Sequence, residues 1–256
     1  MGKTADLLLA HMPARTGFDQ AYGDIAALQI AAINERFQEC VGAIKLWGLR
    51  ASESGIDEIR SLQDVVPLLL PHTAFKSYPE SFLSGKRWDR LTKWLGTVST
   101  QPTDTIDVEG VTDVDGWVRA CEAAGHLVSC TSGTTGKPAM LPAMQSDLDF
   151  AAREVVEAVQ WGSGLRAGDK RTFVSFGATA QSPRNAATGM PLVSAFADLA
   201  TLAPPAEGPG ITIGSITGMI ELRKAIANGT ARPEQIAEFE HESALRQEAL
   251  DGALDK

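Results

Sequence analysis

The residues best suited to chemistry lie in one short segment, Thr131–Pro138, which reads TSGTTGKP. Its glycines flank a pair of threonines, so the backbone can turn tightly and aim several N–H groups at one point. A concave group of N–H and hydroxyl donors beside a cation binds phosphate oxygens. The glycines, the hydroxyl donors and the cation are Gly133, Gly136, Ser132, Thr134, Thr135 and Lys137. The segment therefore predicts a phosphate-binding loop.

The segment differs from the Walker phosphate loop. A Walker loop needs four residues between its glycines and a Ser or Thr directly after the lysine. Here only Thr134 and Thr135 separate the glycines, and Pro138 follows Lys137. This spacing argues against a P-loop kinase or GTPase. The plainer alternative is a Gly/Thr hairpin turn that binds nothing.

The string TSGTTGKP resembles the phosphate-binding loop of the adenylate-forming (AMP-binding) superfamily, which includes acyl-CoA synthetases, luciferases and nonribosomal peptide adenylation domains. A lysine directly before the proline is most similar to the phenylacetate–CoA ligase branch. Residues 56–79, IDEIRSLQDVVPLLLPHTAFKSYP, also resemble the helical lead-in of that branch and of acyl-protein synthetases. The resemblance covers only the N-terminal portion of such an enzyme.

The resemblance implies ATP-dependent activation of a carboxylate by an AMP-forming acid–thiol ligase. In that family the loop grips the β- and γ-phosphates of MgATP while the substrate carboxylate attacks the α-phosphate, and a thiol then displaces AMP from the acyl-adenylate. Preorganised donors stabilise the charge that builds on pyrophosphate. The implied cofactors are ATP, Mg²⁺ and coenzyme A, and the implied partners are a small-molecule carboxylate and a nucleotide. The residues implied to bind the nucleotide phosphates are Thr131, Ser132, Gly133, Thr134, Thr135, Gly136 and Lys137; no metal ligand or catalytic residue is assigned.

The later signatures of the family are not recognisable in residues 139–256. These are the aromatic-Gly-x-Thr-Glu segment, the ribose-binding Asp and the small domain with the catalytic lysine. A fragment, a split enzyme and a degenerate homologue all fit, and we expect the chain alone to be inactive. The alternative function is a non-catalytic binding or assembly protein that retains part of the fold. Uncovered apolar sheet edges predict self-association or a complementary chain.

The pattern of strands and helices around the loop predicts an α/β fold in two parts. Residues 1–125 form a helical lead-in region, and residues 126–256 form a partial α/β adenylation core, because strands alternate with helices there. A buried strand at 127–130 precedes the loop, and an extended return at 139–142 follows it. Further strands are predicted at 172–176 and 211–213. Helices are predicted at 19–50, 57–62, 117–124, 147–161, 215–228 and 234–254.

Two further segments each allow a functional and a structural interpretation. Residues 84–96 are basic and aromatic, which suits a phosphate or nucleic-acid surface or an amphipathic helix with solvated charges. We favour the helix, since the rest of the chain is acidic. Residues 182–191, rich in Pro and Gly, either line an acyl pocket after the strand at 172–176 or form a surface loop.

Composition places the chain among globular proteins. Of 256 residues, 44% are hydrophobic and 21% are charged, and the formal net charge of −9 argues against nucleic-acid binding. The three cysteines are widely spaced without a CxxC pair, which favours reduced thiols over disulfides or zinc. The apolar run near the N-terminus, residues 7–10, is too short for a signal peptide. These features predict a cytoplasmic protein.

Overall fold

The computed structural model describes residues 2–10, 22–131, 137–173, 183–202, 212–237, 239–241 and 243–244. Most of these residues are helical, and one small sheet of two strands follows the N-terminal helices. In the described part of residues 1–125 all named elements are helices, so the predicted helical region is confirmed for that part. None of the helices in the described ranges is long and apolar enough to cross a membrane.

The elements are numbered here in chain order. The helices before the sheet are α1 (Lys3–Leu9), α2 (Tyr22–Cys40), α3 (Lys45–Ser54), α4 (Leu62–Val65), α5 (Ser81–Ser84), α6 (Trp88–Leu95) and α7 (Val114–Ala123). The strands are β1 (Leu127–Cys130) and β2 (Met140–Ala143). The helices after the sheet are α8 (Gln145–Ser163), α9 (Pro183–Phe196) and α10 (Ile213–Ala227). Short 3₁₀ turns lie at Val66–Leu68, His72–Lys76 and Leu199–Thr201.

The first helical region differs from the prediction at two places. The helix predicted over 19–50 ends at Cys40 and restarts at Lys45, with a turn around Gly42, which is a poor helix former. The helix predicted at 57–62 is wrong, because α4 begins only at Leu62. A long-range contact explains the second difference: the Ile59 N–H donates to Asn34 Oδ1 at 2.9 Å instead of to a helical carbonyl.

The main core lies between α6, α7 and the sheet. Trp88, Leu91, Trp94 and Leu95 are buried on one side of α6, while the basic residues of segment 84–96 are exposed. The amphipathic interpretation of this segment is therefore confirmed. The buried residues of the core are Tyr78, Trp88, Leu91, Trp94, Leu95, Val98, Ile106, Val114, Trp117, Cys121, Val128 and Met140.

The sheet is an antiparallel hairpin. Leu127 pairs with Ala143, and Cys130 pairs with Met140. The strand predicted at 127–130 is confirmed, and the return lies one residue later than predicted. Gly125, at φ +84°, turns the chain from α7 into β1, a conformation that glycine adopts without strain. The hairpin places Thr131 and Ala139 together at one end of the sheet.

Helix α8 is confirmed but begins two residues earlier than predicted. The Met144 N–H donates to Asp147 Oδ2 at 2.8 Å, so Asp147 caps the first turn directly after β2.

In the described residues no strand follows α8, so the alternation predicted there is not confirmed. Of the strand predicted at 172–176, residues 172 and 173 lie outside any strand, and 174–176 lie outside the described residues. Arg171 makes a single parallel bridge with Ala197. Residues 183–191 belong to α9, so the surface-loop interpretation is wrong for that part of the segment, and the acyl-pocket interpretation stays a prediction.

The strand predicted at 211–213 is wrong in its described part. Thr212 Oγ1 accepts a hydrogen bond from the Ser215 N–H at 3.0 Å, and Ile213 is already the first residue of α10. A threonine in this position starts a helix despite the β-branched residues beside it. The helix predicted over 215–228 is confirmed as α10. Residues 233–237, 239–241 and 243–244 are also helical.

Asp115 holds the start of α10 against α7. Its carboxylate accepts hydrogen bonds from Gly214 N–H at 2.8 Å and from Thr212 Oγ1 at 2.9 Å. A Cβ on Gly214 would lie 2.3 Å from Asp115 Oδ2, so only glycine permits this approach. Because these bonds join residues about a hundred positions apart, they bring α10 back to the N-terminal region.

Candidate phosphate-binding loop

The loop predicted to bind phosphate forms the connection between β1 and β2. Of its seven assigned residues, Thr131 and Lys137 are described, and residues 132–136 lie outside the described part of the chain. The Thr131 N–H donates to the Ala139 carbonyl at 3.1 Å, and the Ala139 N–H donates to Thr131 Oγ1 at 3.0 Å. These two bonds hold the ends of the loop together at the end of the sheet.

Lys137 contacts the lead-in region. Its ammonium donates to the backbone carbonyl of Tyr78 and lies 4.5 Å from the centre of the Tyr78 ring. The side chain is half-buried, and partial loss of hydration lowers the pKa of the Lys137 ammonium. The structure thus places a cation at the C-terminal end of the loop and orients it through Tyr78.

Tyr78 also anchors the C-terminal end of the loop. Its hydroxyl donates to the Pro138 carbonyl at 2.7 Å, and its side chain is completely buried. The ring packs edge-on against Trp94 with centroids 4.8 Å apart, and Trp94 Nε1 donates to Ser77 Oγ at 2.9 Å. Burial raises the pKa of the Tyr78 hydroxyl, so it remains a protonated donor. Sequence reasoning did not find Tyr78, because its partner lies 60 residues away.

Cys130 lies directly before the loop and is not an activated nucleophile. Burial, together with a smaller effect of the Asp115 carboxylate, raises the pKa of its thiol to about 11. A thiol that stays protonated near neutral pH is a poor nucleophile. Among the residues that the structure describes, no group of three or more His, Cys, Asp or Glu is placed to hold a metal ion.

No protein-family model matches this chain, and neither any curated protein nor any solved structure matches it.

Replacing Tyr78 by phenylalanine tests how strongly the loop is anchored. Tyr78→Phe keeps the buried ring but leaves the Pro138 carbonyl without its donor. We expect the free energy of unfolding to fall by about 1–3 kcal/mol, the usual cost of an unsatisfied buried group. Urea unfolding followed by far-UV circular dichroism measures this, with Ser84→Ala, which alters an exposed hydroxyl, as the control. Equal stability of Tyr78→Phe and the wild type would contradict the anchoring role.

Proposed function

We propose that this chain provides the phosphate-binding part of an AMP-forming acid–thiol ligase, which activates a carboxylate with ATP and passes it to a thiol. The observation that carries the proposal is the sequence TSGTTGKP at the connection of a closed hairpin, with Lys137 at its end. A loop whose two ends are held together pre-orients its donors, which lowers the entropic cost of binding an anion.

The chemical roles follow from the residue types. The N–H groups of residues 132–136 and the hydroxyl groups of the loop bind phosphate oxygens, and they stabilise the negative charge that develops on the departing pyrophosphate. Lys137 adds positive charge beside them and is held by Tyr78. ATP with Mg²⁺, a small-molecule carboxylate and coenzyme A or a carrier thiol complete the proposed reaction. The net charge and the three free thiols support a cytoplasmic location for it.

The experiment is a calorimetric titration of MgATP and of inorganic pyrophosphate into the full chain. We expect weak binding of both, and loss of binding when the two loop threonines are replaced, as argued in the Discussion. We expect no carboxylate-dependent pyrophosphate exchange by the chain alone, because the adenine-binding segment and the catalytic lysine are not recognisable in residues 139–256. Failure to bind either ligand at millimolar concentration would contradict the proposed function.

The second candidate is a non-catalytic binding or assembly protein, and exposed apolar side chains favour it. Leu62, Val66 and Leu69 are 43%, 63% and 61% exposed and lie close together in sequence, in α4, in the 3₁₀ turn that follows it and directly after that turn. Within the described ranges, β1 and β2 pair only with each other, which leaves both outer edges without a partner strand. Apolar patches and unpaired edges are typical of surfaces that another chain covers.

We therefore expect the chain to associate with itself or with a second chain. Light scattering of the purified protein should give a mass above that of one chain, rising with concentration. The double substitution Val66→Lys with Leu69→Lys should lower it, whereas Lys45→Gln on exposed α3 surface should not. A monodisperse monomer at high concentration would count against self-association.

A further inference from the structure

Lys137 and Lys224, which are far apart in sequence, both contact residues 78–80, the segment that anchors the loop. Lys137 donates to the carbonyl of Tyr78. Lys224, near the end of α10, forms an ion pair with Glu80, which is two residues after Tyr78 in the sequence. Lys224 is 144 positions from Glu80, so only the folded chain brings these groups together.

The electrostatic surroundings of Lys137 include the same groups. Glu80 raises the pKa of the Lys137 ammonium, while Lys224 and Lys76 lower it, in addition to the larger lowering by partial burial. Glu80, Lys224 and Lys76 are therefore close enough to Lys137 to act on its charge. Together the three lysines raise the local positive potential, which favours binding of an anion although the net charge of the chain is −9.

The Glu80–Lys224 pair is poorly suited to a purely structural role. Its side chains are 58% and 42% exposed, and exposed ion pairs contribute little to stability. The start of α10 is already held by the two hydrogen bonds to Asp115. An exposed carboxylate on a lysine can be exchanged for another anion at small cost, because water screens both states.

We propose that Lys224 and Lys137 form a polyphosphate subsite beside the loop 131–138, and that Glu80 occupies Lys224 until a phosphate group displaces it. This inference rests on the proposed function of the loop and adds Lys224, a residue outside the loop, to the groups that bind the same ligand. It assigns α10 to the nucleotide site, although α10 lies far from the loop in sequence.

Inorganic tripolyphosphate is the probe, and opposite effects of two substitutions are the test. Lys224→Gln removes a cation, so its affinity for tripolyphosphate should fall roughly two- to fivefold, the range of an exposed charge pair. Glu80→Gln frees Lys224 and removes a competing carboxylate, so affinity should rise by a similar factor. Both differences should shrink at high salt. Lys45→Gln and Glu58→Gln, which make the same changes of net charge at other exposed positions, serve as matched controls.

If the Glu80–Lys224 ion pair only stabilises the fold, the two variants should not show opposite affinities for tripolyphosphate, because either substitution breaks the ion pair. Equal losses in both variants, or changes no larger than those of the controls, would overturn the subsite. If tripolyphosphate binding still depends on Thr134 and Thr135 in that case, the proposed function of the loop survives. If the wild-type chain binds no tripolyphosphate at all, both the subsite and the loop function are wrong.

Discussion

Replacing Thr134 and Thr135 together by alanine is expected to lower the affinity for pyrophosphate by about 10²–10⁴-fold. Each hydroxyl is assigned a hydrogen bond to a charged oxygen, and such a bond contributes roughly 1.5–3 kcal/mol. The sum for two such bonds corresponds to the stated loss of affinity. This sum is an upper bound, because the effects of neighbouring contacts are not additive. For a weakly bound ligand this is a loss of detectable binding in calorimetry. In a complete enzyme the same factor should appear in carboxylate-dependent pyrophosphate exchange.

The fold should survive this double substitution, since a surface loop makes few core contacts. Thermal melting of the variant is the control for folding, and Thr105→Ala with Thr112→Ala removes two exposed hydroxyls elsewhere. Lys137→Ala should reduce affinity less, because a half-exposed ammonium is partly screened by water. Unchanged pyrophosphate binding by the double threonine variant would refute the phosphate-binding role of the loop.

Trp117→Ala is expected to cause the largest loss of stability, about 3–5 kcal/mol. The Trp117 side chain is fully buried in α7 against the main core, and its Nε1 donates to Thr92 Oγ1 of α6 at 2.9 Å. Alanine leaves a large cavity there and removes a buried hydrogen bond. At about 2–4 °C per kcal/mol for a domain of this size, the melting temperature should fall by about 6–20 °C.

Trp161 on α8 provides the matched control, because its side chain is 45% exposed. Trp161→Ala should lower the free energy of unfolding by less than about 1 kcal/mol, as surface substitutions usually do. Urea unfolding monitored by far-UV circular dichroism compares the two without relying on tryptophan fluorescence. If Trp117→Ala does not fold, Trp117→Phe retains an aromatic ring and should show a smaller loss. Similar costs at positions 117 and 161 would contradict the assignment of the core.

Local patterns predicted several elements correctly. The spacing of Trp88, Leu91 and Leu95 identifies the buried side of α6, because apolar residues three and four apart share a helical face. The apolar run at 127–130 predicts β1, and the glycines after it predict the turn to β2. In each case the information lies within a few residues, at the period of the element itself. The chemical proposal for residues 131–138 is likewise local, since it depends on residue types in one short string.

Contacts between residues that are distant in sequence account for the places where the structure differs from the prediction. Ile59 leaves the predicted helix because Asn34 accepts its N–H, and the start of α10 at Ile213 is held by Asp115. The bond of Lys137 to Tyr78 joins positions 59 residues apart, and that of Lys224 to Glu80 joins positions 144 apart. Periodicity and propensity carry no information about such pairs, because a side chain finds a distant partner only after the core has packed. The loop could therefore be predicted from the sequence, whereas the groups that hold and surround it could be found only in the folded chain.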